Sequence, residues 1–254
     1  MKAIIFDFDG TLTKGGDNIW KAMWKYLGYD IGQGSLYRQL FIRFLSHDID
    51  HQTWCDLSAD AFMERGISKD IMLNLAKNTE LIDGAKETFK KLKENGHSLH
   101  VVSGSMTAVI RQVLGDNVKY FDSINGNEAL FDEDGNMIGI KGTKYDFEGK
   151  ARFVEELIAK TGIDKSDICF VGNGDNDEWV YKSGCKTLCI NPEDTDTSNT
   201  TIWHKSIDNL TDLRDILPAL NVAPTLQELI SNGDESNNKT THICPMMAEF
   251  MCKD

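Results

Sequence analysis

The chain lacks the long apolar segments of membrane and secreted proteins. None of its apolar runs approaches the roughly 18 residues that indicate a membrane span, and the stretch Ala3-Ile4-Ile5-Phe6 stops at Asp7. This stretch predicts a buried strand and not a signal peptide. Because no export signal is present, we expect a cytoplasmic protein in which the six cysteines are reduced thiols.

Positive charge and proline are also scarce. The 27 Lys and Arg residues face 40 Asp and Glu residues, which gives a formal charge of −13. No basic stripe could follow a phosphate backbone, so neither nucleic acid nor a membrane is expected as a partner. Four prolines and a hydrophobic share of 41% are typical of a globular protein. A length of 254 residues allows one substantial core and a smaller module.

Strand-like and helical segments alternate along much of the sequence. This alternation predicts an open parallel α/β sheet, whose ligands bind at the carboxyl ends of the strands. An acidic turn within residues 128–140 predicts a β-hairpin. The predicted strands are 2–7, 98–102, 167–171 and 186–190, and the predicted helices of this part are 84–95, 106–114, 150–161 and 209–220.

The segment between the first two strands carries only helical patterns. Asp17 or Asn18 can cap its first helix and Ser35 its second. The apolar residues Leu36, Leu40, Phe41, Phe44 and Leu45 are expected to face inward on that second helix. Two further helices fit 51–65 and 68–78, so the segment is predicted to be a helical lid.

These patterns divide the chain into three predicted parts. The parts are a sheet core formed by 1–14 and 83–220, a helical cap at 15–82, and a partly disordered tail at 221–254 with a polar stretch at 231–241.

The tail contains three possible zinc ligands at irregular spacing, His242, Cys244 and Cys252. This set falls short of a four-ligand pattern.

The first strand ends in Asp7-Phe8-Asp9-Gly10-Thr11-Leu12-Thr13. Residues two apart in an extended segment share a face, so Asp7 and Asp9 point toward the same space, and Gly10 lets the chain turn away. One carboxylate can attack phosphorus while the other moves a proton to and from oxygen. Their repulsion, together with a phosphate dianion, requires a cation, and oxygen ligands favour Mg²⁺.

This motif resembles the first signature of the haloacid dehalogenase superfamily. The Asp-Gly-Thr-Leu-Thr ending and the all-helical insertion are similar to its phosphoserine phosphatase-like branch, over essentially residues 1–220. The resemblance implies an α/β fold with a Rossmann-like parallel sheet core and an inserted all-helical cap domain. It also implies that Asp7 is the nucleophile and that Asp9 is the acid/base, whose main-chain carbonyl binds Mg²⁺.

Two further segments match signatures of that family. Ser103 follows the second predicted strand, where its hydroxyl and the backbone N–H groups around Gly104 can hold a phosphoryl oxygen. We predict Thr11, Ser103 and Gly104 as substrate contacts. Lys150 opens a helix 23 residues before Asn173, and the resemblance implies that it pairs with the nucleophile and the phosphate. Lys144 is a competitor without the following helical pattern.

The loop after the strand at 167–171 departs from the family pattern. The usual form is Gly-Asp-x-x-Asn-Asp, whose first aspartate binds the metal, and Asn173 stands at that position here. An amide oxygen can still bind Mg²⁺, although without charge, so Asp177 or the additional Asp175 would supply the missing anion. We predict Asp7, Asp9, Asn173 and Asp177 as the metal residues.

The predicted function is Mg²⁺-dependent hydrolysis of a small phosphorylated metabolite through an aspartyl-phosphate. A phosphotransferase using the same intermediate is an alternative, and Asn173 also allows a phosphometabolite-binding regulatory protein with weak turnover. In the family a cap glutamate nine residues beyond the nucleophile reads the amino group of phosphoserine, but that position is Gly16 here. We predict Asp17 and Arg38 as cap contacts to substrate; the alternatives to Arg38 as the arginine that binds a substrate carboxylate are Arg43 or neither of the two. Substrate and oligomeric state stay open.

Overall fold

The protein, described by a computed structural model over residues 3–192 and 202–222, is built on a seven-stranded sheet. Its order is β4-β3-β2-β1-β5-β6-β7, and every neighbouring pair is parallel except β3 and β4. The strands are β1 (Ala3–Phe6), β2 (Ser98–Met106), β3 (Ser123–Phe131), β4 (Met137–Lys141), β5 (Ile168–Gly172), β6 (Lys186–Ile190) and β7 (Lys205–Ile207).

Seven α-helices accompany the strands in the described residues, and the first five of them lie between β1 and β2. They are α1 (Ile19–Tyr26), α2 (Leu36–Leu45), α3 (His51–Glu64), α4 (Lys69–Leu75), α5 (Ala85–Glu94), α6 (Thr107–Leu114) and α7 (Glu148–Thr161). Short 3₁₀ segments occupy Ala76–Asn78, Gly115–Tyr120, Lys165–Asp167, Asp175–Ser183 and Leu213–Ile216. The predicted α/β class, the parallel sheet and the hairpin are confirmed.

The three central strands end at the same edge of the sheet. Phe6 of β1 is aligned with Val101 of β2 on one side and with Val171 of β5 on the other, and the N–H of Asp7 donates to the Val171 carbonyl at 2.9 Å. β2 is longer than the predicted 98–102, so Ser103 lies within the strand at a shift in its pairing with β3. The predicted catalytic segments therefore meet at one edge.

The helical insertion has the predicted caps. The side chain of Asn18, and not that of Asp17, accepts from the Lys21 N–H, and the Ser35 hydroxyl accepts from the Arg38 N–H. The predicted inward face of α2 is partly wrong, because Leu36 and Leu45 are 45% and 49% exposed. Its buried positions are Tyr37 and Leu40.

The insertion is joined to the sheet by two paired segments. Thr13 and Leu81 form an antiparallel bridge, flanked by hydrogen bonds between Lys14 and Glu80 and between Leu12 and Ile82. The described residues up to 221 form one compact unit. A separately moving cap at 15–82 therefore stays a prediction.

The helix predicted at 209–220 is wrong. Only Leu213–Ile216 forms a 3₁₀ turn, because local N–H groups bond elsewhere: Leu210 donates to the Asn191 side chain at 2.7 Å and Leu213 to the Asp83 carbonyl at 2.7 Å. Asn209 has a left-handed φ of 56°. Strand β7 was not predicted.

Several composition-based expectations can be compared with the described residues. The four cysteines there (Cys55, Cys169, Cys185 and Cys189) are free thiols, as predicted. No helix in this part of the chain combines the length and the apolar character that a membrane crossing requires. The predicted disordered stretch 231–241 and the residues His242, Cys244 and Cys252 lie outside the described residues.

Candidate active site

The centre of the site is a buried lysine shared by two aspartates. Lys150, in the first turn of α7, is completely buried, and its Nζ donates to Oδ1 of Asp7 at 3.0 Å and to Oδ1 of Asp177 at 2.5 Å. The competing Lys144 is exposed and pairs with Glu156 at 2.8 Å. The structure therefore brings Lys150, and not Lys144, to the predicted nucleophile.

This arrangement leaves Asp7 short of positive charge. Burial raises the pKa of Asp7 to about 8; the Lys150 ammonium opposes this shift, and Asp177 and Asp9 add to it. Burial lowers the pKa of Lys150, but the carboxylates of Asp177, Asp7 and Asp146 outweigh it and hold that pKa above its ordinary value. Lys150 is thus held in its charged form, and a further positive charge beside Asp7 would favour the ionised form of that carboxyl.

Asp177 is fully engaged by the protein. Its Oδ1 accepts from Lys150, and its Oδ2 accepts the backbone N–H groups of Asn173 at 2.9 Å and Gly174 at 3.1 Å. The side chain is completely buried. Asp177, which we predicted as a metal residue, therefore holds Lys150 and the acidic loop in place.

Asn173 is held against the first motif. Its Oδ1 accepts from the Thr11 hydroxyl at 2.9 Å. Gly10 has a φ of 75°, and a Cβ there would overlap the Asn173 amide, so glycine is required for both reasons. Thr11 is completely buried. The structure places it as a support for Asn173 and not at the cavity surface where a substrate contact was predicted.

A cavity of about 330 Å³ opens above these residues between the sheet edge and α1–α3. Of the predicted site residues, it is lined by Asp7, Asp9, Ser103, Gly104 and Arg38. Lys150, Thr11, Asn173 and Asp177 lie behind its walls. Asp17 is not part of it either: that carboxylate pairs with Lys25 at 2.5 Å and lines a neighbouring cavity.

Several lining residues were not predicted. Asp175 and Asn176 line the cavity. Asp175 is predicted from the sequence only as an alternative to Asp177 for the metal carboxylate. Asp146 lies against the predicted phosphate-binding segment, because a Cβ at Gly104 would overlap its carboxylate. The next residue, Phe147, has a left-handed φ of 47°. No local signature marks such loop residues, because only the fold brings them to the strand ends.

The cap supplies an aromatic roof. Rings of Trp20, Tyr37, Phe41 and Trp54 line the cavity, and the Trp20 indole N–H donates to the Gly104 carbonyl at 2.8 Å. Trp20 therefore both packs within the cap and contacts the predicted catalytic edge of the sheet. A second cavity of about 930 Å³ adjoins this one, since Leu45, Asp146, Phe147 and Asp175 line both.

The donor chemistry at the cavity floor fits a hard cation. Asp7, Asp9, Asp175 and Asn176 offer carboxylate and amide oxygens as ligands, and a bound cation would favour the ionised form of Asp7, whose pKa burial raises. Over residues 3–192 and 202–222, no three His, Cys, Asp or Glu side chains are grouped to hold a metal. Mg²⁺ commonly uses only one or two carboxylates, with water and substrate phosphate completing its shell.

The chain is similar in sequence to phosphoserine phosphatases. The chain is 29% identical to a phosphoserine phosphatase of Archaeoglobus fulgidus over 197 residues, covering 76% of this chain and 53% of that protein. It is 25% identical to a phosphoserine phosphatase of Wolinella succinogenes over 226 residues, covering 87% of this chain and all of that protein. The match thus spans about half the length of the first relative.

Solved structures share the fold. A phosphoserine phosphatase crystallised as an analogue of its phospho-aspartyl intermediate superposes with a TM-score of 0.66 at 20% identity, covering 86% of this chain and 98% of the other. A haloacid dehalogenase family hydrolase from Salmonella enterica serovar Typhi gives 0.66 at 15% identity, covering 89% and 73%. The family profile of haloacid dehalogenase-like hydrolases matches residues 1–180. The chain therefore belongs to the haloacid dehalogenase-like hydrolase family.

Proposed function

We propose that this protein is a Mg²⁺-dependent phosphatase that hydrolyses a small phosphomonoester through an aspartyl-phosphate on Asp7. The observation that supports this most directly is the position of Asp7, which lies at a strand end on the cavity floor, 3.0 Å from Lys150 and beside Asp9, Ser103 and Gly104. A nucleophile, an acid/base, a cation and hydroxyl and N–H donors are the groups that phosphoryl transfer uses.

In the first step, a carboxylate oxygen of Asp7 attacks phosphorus, and the bond from phosphorus to the alcohol oxygen breaks. Asp9 donates its proton to the departing oxygen, so the alcohol leaves neutral. In the second step, Asp9 takes a proton from water as the water oxygen attacks the same phosphorus. The bond to Asp7 then breaks and inorganic phosphate is released, which restores both aspartates.

Charge on the transferred group is neutralised from two sides. Lys150 supplies a fixed cation at the nucleophile, and the Ser103 hydroxyl and Gly104 N–H are hydrogen-bond donors at the cavity wall. Mg²⁺ would be held by Asp7, the Asp9 carbonyl and the acidic loop, and when bound it polarises a phosphoryl oxygen and keeps Asp7 ionised. Because Asp177 is engaged by Lys150, we assign the additional loop carboxylate to Asp175 and a supporting role to Asn173.

The substrate is a small phosphorylated metabolite that fits beneath the aromatic roof. Arg38 and Lys21 are the cap cations that line the cavity, and they suit a substrate with a second anionic group. Phosphoserine is the first compound to test, since the relatives named above act on it. In the family a cap glutamate binds the amino group of phosphoserine, but Gly16 stands at that position here. The neighbouring Asp17 is exposed and pairs with Lys25.

Turnover of p-nitrophenyl phosphate with Mg²⁺, in wild type and Asp7→Asn, tests the proposal. Wild type should release phosphate, and the variant should fold normally but be inactive, because an amide of nearly the same shape is a poor nucleophile. Retention of a few per cent of wild-type kcat, with contamination excluded, would contradict covalent catalysis by Asp7. Asp9→Asn should also be severely impaired because it removes the proton donor.

The alternatives give different results in the same assay. A phosphotransferase would transfer phosphate to added alcohols faster than to water. A phosphometabolite-binding protein would show at most weak turnover at every Mg²⁺ concentration while still binding inorganic phosphate. Mass spectrometry of the protein quenched during turnover should find one phosphoryl group on the peptide containing Asp7.

A further inference from the structure

Asn127 of β3 is a completely buried amide that joins three segments around the active site. Its Nδ2 donates to the carbonyl of Gly104 at 2.6 Å. Its Oδ1 accepts the backbone N–H of Thr143 at 2.7 Å and lies 3.0 Å from Nε2 of His51 on α3 of the cap. One side chain thus connects the phosphate-binding strand, the loop before Lys150 and the cap.

The direction of these hydrogen bonds is fixed by their partners. A backbone N–H can only donate and a carbonyl can only accept, so the oxygen of the Asn127 amide faces Thr143 and its nitrogen faces Gly104. Nε2 of His51 must therefore carry the hydrogen that it shares with Oδ1 of Asn127. No aliphatic or acidic side chain could make the same three contacts.

The carbonyl of Gly104 receives a second donor from the cap. The indole N–H of Trp20, on α1, donates to it at 2.8 Å. A carbonyl oxygen has two lone pairs, so one donor from the sheet and one from the cap satisfy it. The peptide plane between Gly104 and Ser105 is therefore held from both sides.

That peptide plane controls the orientation of the Ser103 hydroxyl. The N–H of Ser105, on the opposite side of the same peptide unit, donates to Oγ of Ser103 at 3.2 Å. Since Oγ accepts this bond, the hydroxyl hydrogen must point elsewhere, and Ser103 lines the catalytic cavity. The hydroxyl is thus prepared to donate to a phosphoryl oxygen.

We propose that Asn127 and Trp20 are positioning residues, which act through the Gly104–Ser105 peptide to aim the Ser103 hydroxyl at the phosphoryl group. The inference rests on the proposed function and adds a consequence to it. Because Trp20 and His51 belong to the cap, this orientation of Ser103 requires the cap to be docked on the sheet. Substrate enclosure and phosphoryl binding are therefore coupled through one carbonyl.

A double-mutant cycle with Ser103→Ala tests the mechanism. Asn127→Ser and Trp20→Phe should each lower kcat for p-nitrophenyl phosphate about tenfold, roughly the effect of one lost hydrogen bond, with a smaller change in KM. In the Ser103→Ala background the same substitutions should change kcat less than twofold, because the group that they position is gone. A purely structural role would give the same factor in both backgrounds.

Trp54→Phe is the matched control. Its ring lines the same cavity and lies 4.4 Å from that of Trp20, but no hydrogen bond from its indole to Gly104 is found in the described structure. Its effect on kcat should be equal with and without Ser103. If Asn127→Ser or Trp20→Phe behaves like this control, so that the losses multiply, the proposal is wrong.

The proposal can be tested even if turnover or folding fails. If wild type does not hydrolyse the ester, the proposed function fails. The same double-mutant cycle is then carried out with the dissociation constant of inorganic phosphate, in the presence of Mg²⁺, as the measured quantity. If Asn127→Ser and Trp20→Phe weaken phosphate binding only in the protein that retains Ser103, the positioning role is supported. Equal losses of phosphate affinity with Ser103 and with Ser103→Ala would overturn it. If Asn127→Ser does not fold, the Trp20→Phe arm, which leaves Asn127 intact, gives the result alone.

Discussion

The ammonium group of Lys150 lies closer to Asp177 than to Asp7, at 2.5 Å against 3.0 Å. The nearer carboxylate is fully buried and also accepts two backbone N–H groups. The positive charge of Lys150 is therefore largely balanced by a residue that lies outside the cavity. This relationship is why we assign Asp177 to the support of the site and look for the metal carboxylate elsewhere.

Removing Asp177 should destabilise the fold. Asp177→Ala leaves a buried ammonium group with less compensation, and the free energy of unfolding should fall by about 3–5 kcal/mol. Urea denaturation of the metal-free protein measures this. The control is Glu128→Gln, which breaks the exposed pair with Lys141 and should change stability by about 1 kcal/mol or less. Equal effects of the two substitutions would contradict the structural role of Asp177.

The acidic loop makes a distinct prediction for Mg²⁺. Asp175→Asn should raise the Mg²⁺ concentration needed for half-maximal activity, because it removes a carboxylate at the cavity floor. Asn173→Asp should lower it, by an amount equivalent to about 1–3 kcal/mol, the range for hydrogen bonds to charged groups taken as a guide. Asp17→Asn, on the neighbouring cavity, serves as the control. If the titration curves of both loop variants coincide with that of wild type, this loop does not hold the metal.

Arg38 should determine substrate preference and not general activity. Arg38→Met should lower kcat/KM for phosphomonoesters with a second anionic group at least tenfold more than for p-nitrophenyl phosphate, since only the former can use the guanidinium. Arg43 lies on the same helix but lines neither the catalytic cavity nor its larger neighbour. Arg43→Met should leave both rates unchanged. A uniform loss on all substrates in Arg38→Met would argue against recognition by this residue.

The burial of His100, outside the predicted active site, should make the free energy of unfolding depend on pH. Burial lowers the pKa of this β2 residue below 6.5, although nearby Asp122 acts in the opposite direction. As pH falls through 6.5, the unfolded chain binds a proton that the folded protein does not, so stability decreases. The loss is at most about 1.4 kcal/mol per pH unit until the folded-state pKa is reached.

Unfolding measurements between pH 8 and pH 5 can isolate this contribution. His100→Gln should lose less stability on acidification than wild type, whatever its stability at pH 8, because it has no titrating ring. The exposed His47 provides the control, and His47→Gln should follow wild type. If His100→Gln and wild type lose stability in parallel, burial of His100 does not govern the acid side of the curve.

Local sequence patterns determined the elements and the order of the catalytic motifs. Asp7 and Asp9 follow an apolar run that predicts a buried strand, and Lys150 lies in the first turn of a helix with an apolar face. Asn18 and Ser35 cap helices because their short polar side chains accept the first free N–H groups. Such features depend on neighbours in the chain, so the sequence alone contains them.

Contacts between distant segments were decided only by the tertiary structure. The sequence could not show that Asp177 turns back to Lys150, that Thr11 supports Asn173, or that Asn127 reaches Gly104, because these pairs are far apart in the chain. The predicted helix at 209–220 failed for the same reason, since the N–H groups of Leu210 and Leu213 bond to Asn191 and Asp83 in other segments. Periodicity identifies which residues are buried, but the partners of a buried polar group depend on which strands and loops the fold brings together.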